Sequence, residues 1–369
     1  MRVLIVPDKF KGTLRAPCAA KAMATGWATV RPGDELELLP MSDGGDGFGE
    51  IIGELMGATT KISTTVNAAH EPLEARWWWS DWTRTAIAES AGVIGLAMLP
   101  PGKFHPFELD TLGLGRLLAA MAREHPATKI ILGIGGSATN DGGFGMALGL
   151  GHGFKDATGR WLDRWTELHR LERIEKREAF EAYGDVLIAT DVQNRLLGPE
   201  GATRIYGPQK GLRPTDFPIA EKCLERLAEV VRTDLGIDCA AEPGTGAAGG
   251  LGYGARVFLN GRFESGFDIF ARIARLSEKI DSAELVITGE GAIDRQTAMG
   301  KGTGAVARLA REHNKRCIGL AGILPDGSRA ADFFHALFSI VPELADADEA
   351  KRNAASLLEL LSAKAASSI

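Results

Sequence analysis

No apolar run in this sequence approaches the roughly 20 residues that a membrane-spanning helix needs, so no membrane partner is expected. Cysteine is scarce. Cys18, Cys223, Cys239 and Cys317 lie far apart, with no CxxC or Cys/His spacing, which argues against a zinc site and predicts reduced thiols in a cytoplasmic protein. There is no basic excess. The net charge of −6 argues against nucleic acid as the main partner. No signal peptide is expected, since MRVLIVPDKF reaches Asp8 after a short apolar run that reads as a first strand. There is no GxxxxGK[ST] loop, although Gly300-Lys301 superficially suggests one, and no protein-kinase catalytic loop, GxSxG elbow or HExxH. The seven histidines form no close cluster, and His70 and His105 read as surface or turn residues.

Glycine is abundant instead. The 46 glycines of this 369-residue chain cluster in loops, and the most informative loop lies within residues 131–151, ILGIGGSATNDGGFGMALGLG. Ile130, Ile131, Leu132 and Ile134 read as a buried strand that stops at Gly135-Gly136-Ser137-Ala138-Thr139-Asn140-Asp141, before a segment able to open a helix. Glycines let backbone N–H groups approach a ligand closely, and a helix start adds donors and a positive dipole end. With Ser137 and Thr139 nearby, the loop suits a phosphate or a carboxylate. A tight strand-to-helix turn with no ligand would use the same residues.

Similar loops recur. Val3–Val6 and Leu36–Leu39 read as strands, followed by Asp8-Lys9-Phe10-Lys11-Gly12 and by Asp43-Gly44-Gly45-Asp46-Gly47, with helices near 16–30 and 46–56. The Thr- and aromatic-rich stretch 59–89 reads as a β meander, with Trp77-Trp78-Trp79 packed on one face and at a domain boundary on the other. Ile188–Gly198 places Asp191 just after a strand, where a carboxylate suits a metal, a hydroxyl proton or a simple turn cap. Tyr206–Gly211 reads as a rigid turn presenting Lys210. Residues 243–250 match GxGxxG by spacing. No clear apolar strand precedes them, so a glycine-rich helix start near an anion or another backbone is favoured over a dinucleotide fingerprint. Near the C-terminus, Glu284–Ile287 reads as a strand followed by Gly289-Glu290-Gly291 and Asp294. A helix near 301–313, strands near 316–320 and 336–340 and a closing helix over 346–365 complete the pattern. Strand–helix alternation at both ends predicts a parallel α/β sheet with function at its carboxyl edge. The middle then forms an inserted second α/β domain: 1–62 with 278–369, and 63–277.

Taken together, these loops resemble the bacterial type I glycerate kinases. The matching stretches are Pro7-Asp8 with Phe10-Lys11-Gly12, Asp43-Gly44-Gly45 with Gly47, GIGGSATNDGG at 133–143 and Asp191-Val192 with Asn194. GPQKG at 207–211, GAAGGLG at 246–252, and VITGEG at 286–291 with Ile293-Asp294, Gln296-Thr297 and Gly300-Lys301 continue them in family order. The resemblance implies a flavodoxin-like first domain with the second inserted into it. It also implies ATP-dependent phosphorylation of D-glycerate, usually to 2-phosphoglycerate. Departures are Lys9 for Ser, Ser42 for Ala, Asp46 for Glu, Phe48 for Thr, Arg195 for Pro and Ala292 for Arg. The last removes a planar anion clamp, which the charge of Lys9 would offset. The expected assignment has Gly135, Gly136, Ser137, Thr139, Asn140 and Lys210 holding nucleotide phosphates. Asp191 binds magnesium or acts as base; Lys11 and Asp294 join it as catalytic groups, and Asp8, Asp43 and Glu290 bind substrate. ATP and Mg²⁺ are the expected cofactors, and the state is monomer or homodimer. Alternatives are a kinase for another small hydroxy acid, a catalytically impaired ligand-binding homologue, and a nicotinamide oxidoreductase resting on the GxGxxG alone.

Overall fold

The computed structural model describes residues 1–126, 129–176, 184–294, 297, 302–325 and 333–369; Gln296 and Gly300-Lys301 therefore lie outside the described residues. The strands in chain order are β1 Arg2–Pro7, β2 Glu35–Leu38, β3 Thr59–Val66, β4 Pro72–Ser80, β5 Thr85–Glu89, β6 Lys129–Gly133 and β7 His152–Asp156. They continue with β8 Leu171–Lys176, β9 Asp185–Ala189, β10 Arg262–Glu264, β11 Leu285–Ala292, β12 Arg316–Ile323 and β13 Ala336–Val341. The chain divides into two compact units, Met1–Asp43 with Phe267–Ile369, and Gly44–Gly266.

The first unit holds a five-stranded sheet in the order β13-β12-β11-β1-β2. All of its pairings are parallel. Numbered within the unit, that order is 2-1-3-4-5, the flavodoxin-like winding, whose switch point falls between its first and third strands, here β1 and β11. Alternation buries both faces of β1. Val3 and Ile5 join Met23, Trp27, Leu358 and Leu361 in one cluster, and Leu4 and Val6 point the other way and are equally buried. The predicted closing helix is two helices, Ala347–Arg352 and Ala354–Ser367. Asp346 caps the first by accepting from the N–H groups of Asp348 and Glu349.

The second unit holds a six-stranded sheet ordered β10-β9-β6-β5-β4-β3, with a separate β7–β8 hairpin. Four strands are parallel, and β3, β4 and β5 form the antiparallel meander that their composition predicts. Trp77, Trp78 and Trp79 differ from expectation, because at these three residues both faces of β4 are covered inside this unit. Trp79 stacks on His125, with ring centroids 4.7 Å apart. Trp78 lies against Gly49 and Gly53 of the helix Phe48–Leu55, where an added Cβ would come within 2.2 and 2.7 Å of the indole. That contact explains why this helix packs with the second unit, although the sequence reading grouped residues 44–62 with the first.

Candidate active site

In the first unit, the residues after β1 and at the end of β11 meet at the switch point. The Asp8 N–H donates to the Gly289 carbonyl at 2.9 Å, and the Met41 N–H donates to the Pro7 carbonyl at 2.9 Å, drawing the loops after β1, β2 and β11 together. The Asp8 carboxylate accepts from the Lys9 N–H at 2.7 Å, and the Lys9 ammonium reaches Asp43 at 3.0 Å. Asp8 is nearly buried. Burial first, and then the charges of Asp43 and Glu290, push its carboxyl up to about 7 against the opposing pull of Lys9.

Glu290 and Gly291 belong to strand β11 rather than to a loop beyond it, because β12 runs on beside them and pairs Glu290 with Ala321 and Ala292 with Ile323. Glu290 accepts hydrogen bonds from the hydroxyls of Thr297, at 2.7 Å, and Thr303. Burial raises its carboxyl in spite of them, helped by Asp294 and Asp43. The Asp294 N–H donates to Thr297 at 3.2 Å. Lys11 is exposed on the turn after Phe10. Ser42 adds a hydroxyl that is buried and has no hydrogen-bond partner among the described residues.

The second unit carries the glycine loop. β6 and β9 pair in parallel as far as Gly133 and Ala189, so residues 134–143 and the loop bearing Asp191 leave the same sheet edge, tied by the Ile134 N–H to the Ala189 carbonyl at 3.3 Å. Asp191 is half-buried there. Asn194, three residues on, braces that loop by donating to the Glu200 carbonyl and accepting from the Tyr206 hydroxyl. The Gly135 N–H donates to the Gly44 carbonyl, and segment 94–96 pins the loop through Ala138 N–H to Ile94 and Leu96 N–H to Gly136.

Gly136 is exposed at the loop's tip, whereas Ser137, Thr139 and Asn140 are buried. The Thr139 hydroxyl and the Asn140 side-chain oxygen have no hydrogen-bond partner among the described residues; the Asn140 amide donates to Thr203 at 3.1 Å. Asp141, which sequence reasoning passed over, is wholly buried and accepts from the Thr111 N–H and hydroxyl and from the N–H groups of Gly143 and Gly145. Its sequence signal is an Asp-Gly-Gly just ahead of the helix Phe144–Gly149, the chemistry of a cap.

One reading of this region changes, and another is narrowed to one of its alternatives. GPQKG is no exposed turn: the helix Ala202–Lys210 runs through it and ends at Gly211, leaving Lys210 buried with 6% exposure. Burial pushes that lysine down to about 7, and Asp141 opposes the shift. The glycines of 246–252 serve another backbone. A Cβ on Gly249 would lie 2.0 Å from the Thr139 carbonyl oxygen, and Gly143 and Gly254 press together so closely that neither admits a side chain.

The profile of the glycerate kinase family matches residues 3–369. The chain belongs to the glycerate kinase family. It is 36% identical over 359 residues to the glycerate 2-kinase of Escherichia coli strain K12, covering 96% of this chain and 94% of that protein. It is 36% identical over 363 residues to a glycerate kinase of Halalkalibacterium halodurans, covering 97% and 95%. A crystal structure from Salmonella typhimurium LT2, described as a candidate glycerate kinase 2, superposes with a TM-score of 0.83 at 32% identity, covering 100% of this chain and 98% of that one.

Proposed function

We propose that the chain transfers the terminal phosphoryl group of ATP to D-glycerate and forms 2-phosphoglycerate. Family membership across the whole chain supports the kinase class, and the E. coli relative's name supports the C2 position. The observation that carries the reading is the loop 134–143 at the same sheet edge as Asp191, with its exposed Gly136 tip and its buried, unpartnered Thr139 hydroxyl. Phosphoryl transfer needs positioning and charge neutralisation more than covalent chemistry; a glycine loop supplies the first, and a nearby carboxylate is a ligand for the cation that would supply the second.

Among the described residues no three His, Cys, Asp or Glu side chains gather as a metal site. That suits Mg²⁺ held by one or two carboxylates together with nucleotide phosphates, and Asp191 is the residue assigned to it. When bound there, the ion neutralises phosphate charge. In the first unit, Asp8 and Glu290 are hydrogen-bond acceptors for the acceptor's hydroxyls, and the exposed Lys11 is the partner for its carboxylate. Cys18 is exposed and Cys223, Cys239 and Cys317 are buried, all as free thiols, which suits the reducing cytoplasm.

The test is phosphorus NMR of the product formed from MgATP and D-glycerate, with glycolate, lactate and glycerol as competitors. A phosphate on C2 of glycerate is expected. Turnover with another hydroxy acid and none with glycerate would overturn the substrate and leave the kinase class standing.

A further inference from the structure

Lys210 stands in the seam between two glycine-rich loops of the second unit. Its ammonium nitrogen donates to the Ser137 hydroxyl at 2.9 Å and to the Thr139 carbonyl at 2.6 Å. The Ser137 hydroxyl in turn donates to the Ala248 carbonyl at 2.9 Å. Ala248 begins a left-handed run that continues through Gly249 and Gly250, with φ of 56°, 71° and 85°. A lone alanine held in that region costs on the order of 1 kcal/mol, so the run needs support from its surroundings. The Gly249 carbonyl accepts from the Gly142 N–H at 3.1 Å, and a Cβ on Gly249 would come within 2.9 Å of the Lys210 nitrogen. The lysine head is therefore enclosed by the backbones it joins.

Hydrogen-bond arithmetic shows what this arrangement leaves over. A serine hydroxyl has one proton. That of Ser137 is committed to Ala248, and Lys210 occupies one of its lone pairs, so Ser137 has no donor left for a phosphate. Lys210 makes two donated bonds, the number a neutral amine supplies, in a place where burial disfavours the ammonium. Neither side chain points its donors away from the protein.

We propose that Lys210 is a positioning residue for nucleotide binding: it fixes Ser137 and the Thr139 carbonyl, braces residues 135–141 against 248–250, and does not itself touch the nucleotide. The donors offered to phosphate are then the backbone N–H groups of Gly136 and Ser137, since those of Gly135 and Ala138 are already given to Gly44 and Ile94. This rests on the reading above that residues 135–141 are the phosphate loop. It revises the expectation that Lys210 and Ser137 are direct phosphate contacts.

A double-mutant cycle on the full-length chain tests it, with Lys210→Met, Ser137→Ala and the pair. The readouts are KM for ATP, KM for glycerate, kcat, and ADP affinity by calorimetry. Each single change is expected to lower kcat/KM for ATP by about 10-fold, with KM for glycerate unmoved, because loss of a shared network is felt at one ligand. The pair should fall within about 3-fold of the worse single variant, since groups in one network couple. If the losses multiply to about 100-fold, Lys210 contacts the nucleotide independently and the proposal is overturned. It is equally overturned if Ser137→Ala leaves ATP kinetics and ADP affinity untouched while Lys210→Met impairs them. Should Lys210→Met not fold, Lys210→Gln takes its place, because the amide keeps two N–H donors without the charge. Absence of ATP turnover by the unsubstituted protein marks failure of the kinase reading itself, and ADP binding then still reads the cycle.

Discussion

Replacing Asp8 by Asn should stabilise the protein above neutral pH while impairing it as an enzyme. The Asp8 carboxyl is pushed from 3.8 to about 7 by burial at the end of β1 and by Asp43 and Glu290 beside it. A folded-state value above the unfolded one means that the native protein holds this proton more tightly than the unfolded chain. Stability is therefore lost as pH rises from about 4 to about 7, and the loss is complete above that window. At 1.36 kcal/mol for each tenfold change in proton affinity, the rise from 3.8 to about 7 sets a ceiling of about 4 kcal/mol. Asn cannot ionise, keeps an oxygen to accept the Lys9 N–H, and relieves the repulsion from Asp43 and Glu290. Thermal denaturation at pH 4.5 and pH 8 reads the effect. At about 2–4 °C per kcal/mol, the transition that unfolds the first unit should rise by several degrees at pH 8 and barely move at pH 4.5. The same substitution should lower kcat, because an ionised carboxylate at the switch point accepts a hydrogen bond that an amide accepts less well. An equal Tm shift at both pH values, or a less stable variant at pH 8, would refute the assignment of a buried, repelled carboxyl.

The other predictions are simpler. Asp191→Asn should fold and lose at least about 10²-fold in kcat, the scale of a lost general base or metal ligand; a well-folded variant with near-normal kcat makes Asp191 structural. Gly249→Ala should fail to fold stably, since its Cβ would stand 2.0 Å from the Thr139 carbonyl oxygen, and an unchanged Tm would contradict the close approach of the two loops. Trp78→Ala should cost about 3–5 kcal/mol, the usual range for a buried tryptophan, and should be read in the transition that unfolds the second unit.

The inner strands of the first sheet are legible because their core runs, such as Val3–Val6 and Leu285–Ile287, are buried on both faces and so read as unbroken apolar sequence. The meander is legible from its Thr, Val and aromatic content. β10 is not, since Arg262-Phe263-Glu264 is a three-residue edge strand with only one neighbour to satisfy. Nor is the β7–β8 hairpin, whose sequences HGFKD and LERIEK carry charges at six of eleven positions and bury Phe154, Leu171 and Ile174 as their apolar anchors. Local pattern also cannot say which unit a helix joins. Phe48–Leu55 reads as a helix from its own residues, but its place is decided by the fit of Gly49 and Gly53 to an indole on β4.

The candidate site shows the same division more sharply. Glycines and carboxylates after apolar runs locate the loops, because backbone access to a ligand and turn formation are local demands. Whether a polar side chain in such a loop faces a ligand or is consumed inside the protein depends on partners far away in sequence. Lys210 meets Ser137 and Thr139 across separations of 73 and 71 residues, and Asp141 meets Thr111 across 30. A motif that presents lysine, serine and aspartate therefore reads as a set of ligand contacts, although burial has already assigned these three to one another and to the backbone. On the reading proposed above, what remains for the phosphate is the exposed backbone at Gly136 and the Thr139 hydroxyl, which, like the Asn140 side-chain oxygen, the fold leaves without a partner among the described residues. A buried polar atom without a hydrogen bond costs roughly 1–3 kcal/mol, and a loop that retains two of them is spending stability on a geometry whose return comes only when the site is filled. Ligand binding should accordingly raise the stability of the second unit by more than its backbone contacts alone would supply, and Thr139→Val, which removes an orphaned hydroxyl, should raise the Tm of the ligand-free protein while weakening nucleotide affinity. A variant that is destabilised without ligand and binds ADP normally would show that the Thr139 hydroxyl is satisfied inside the protein and plays no part in the site.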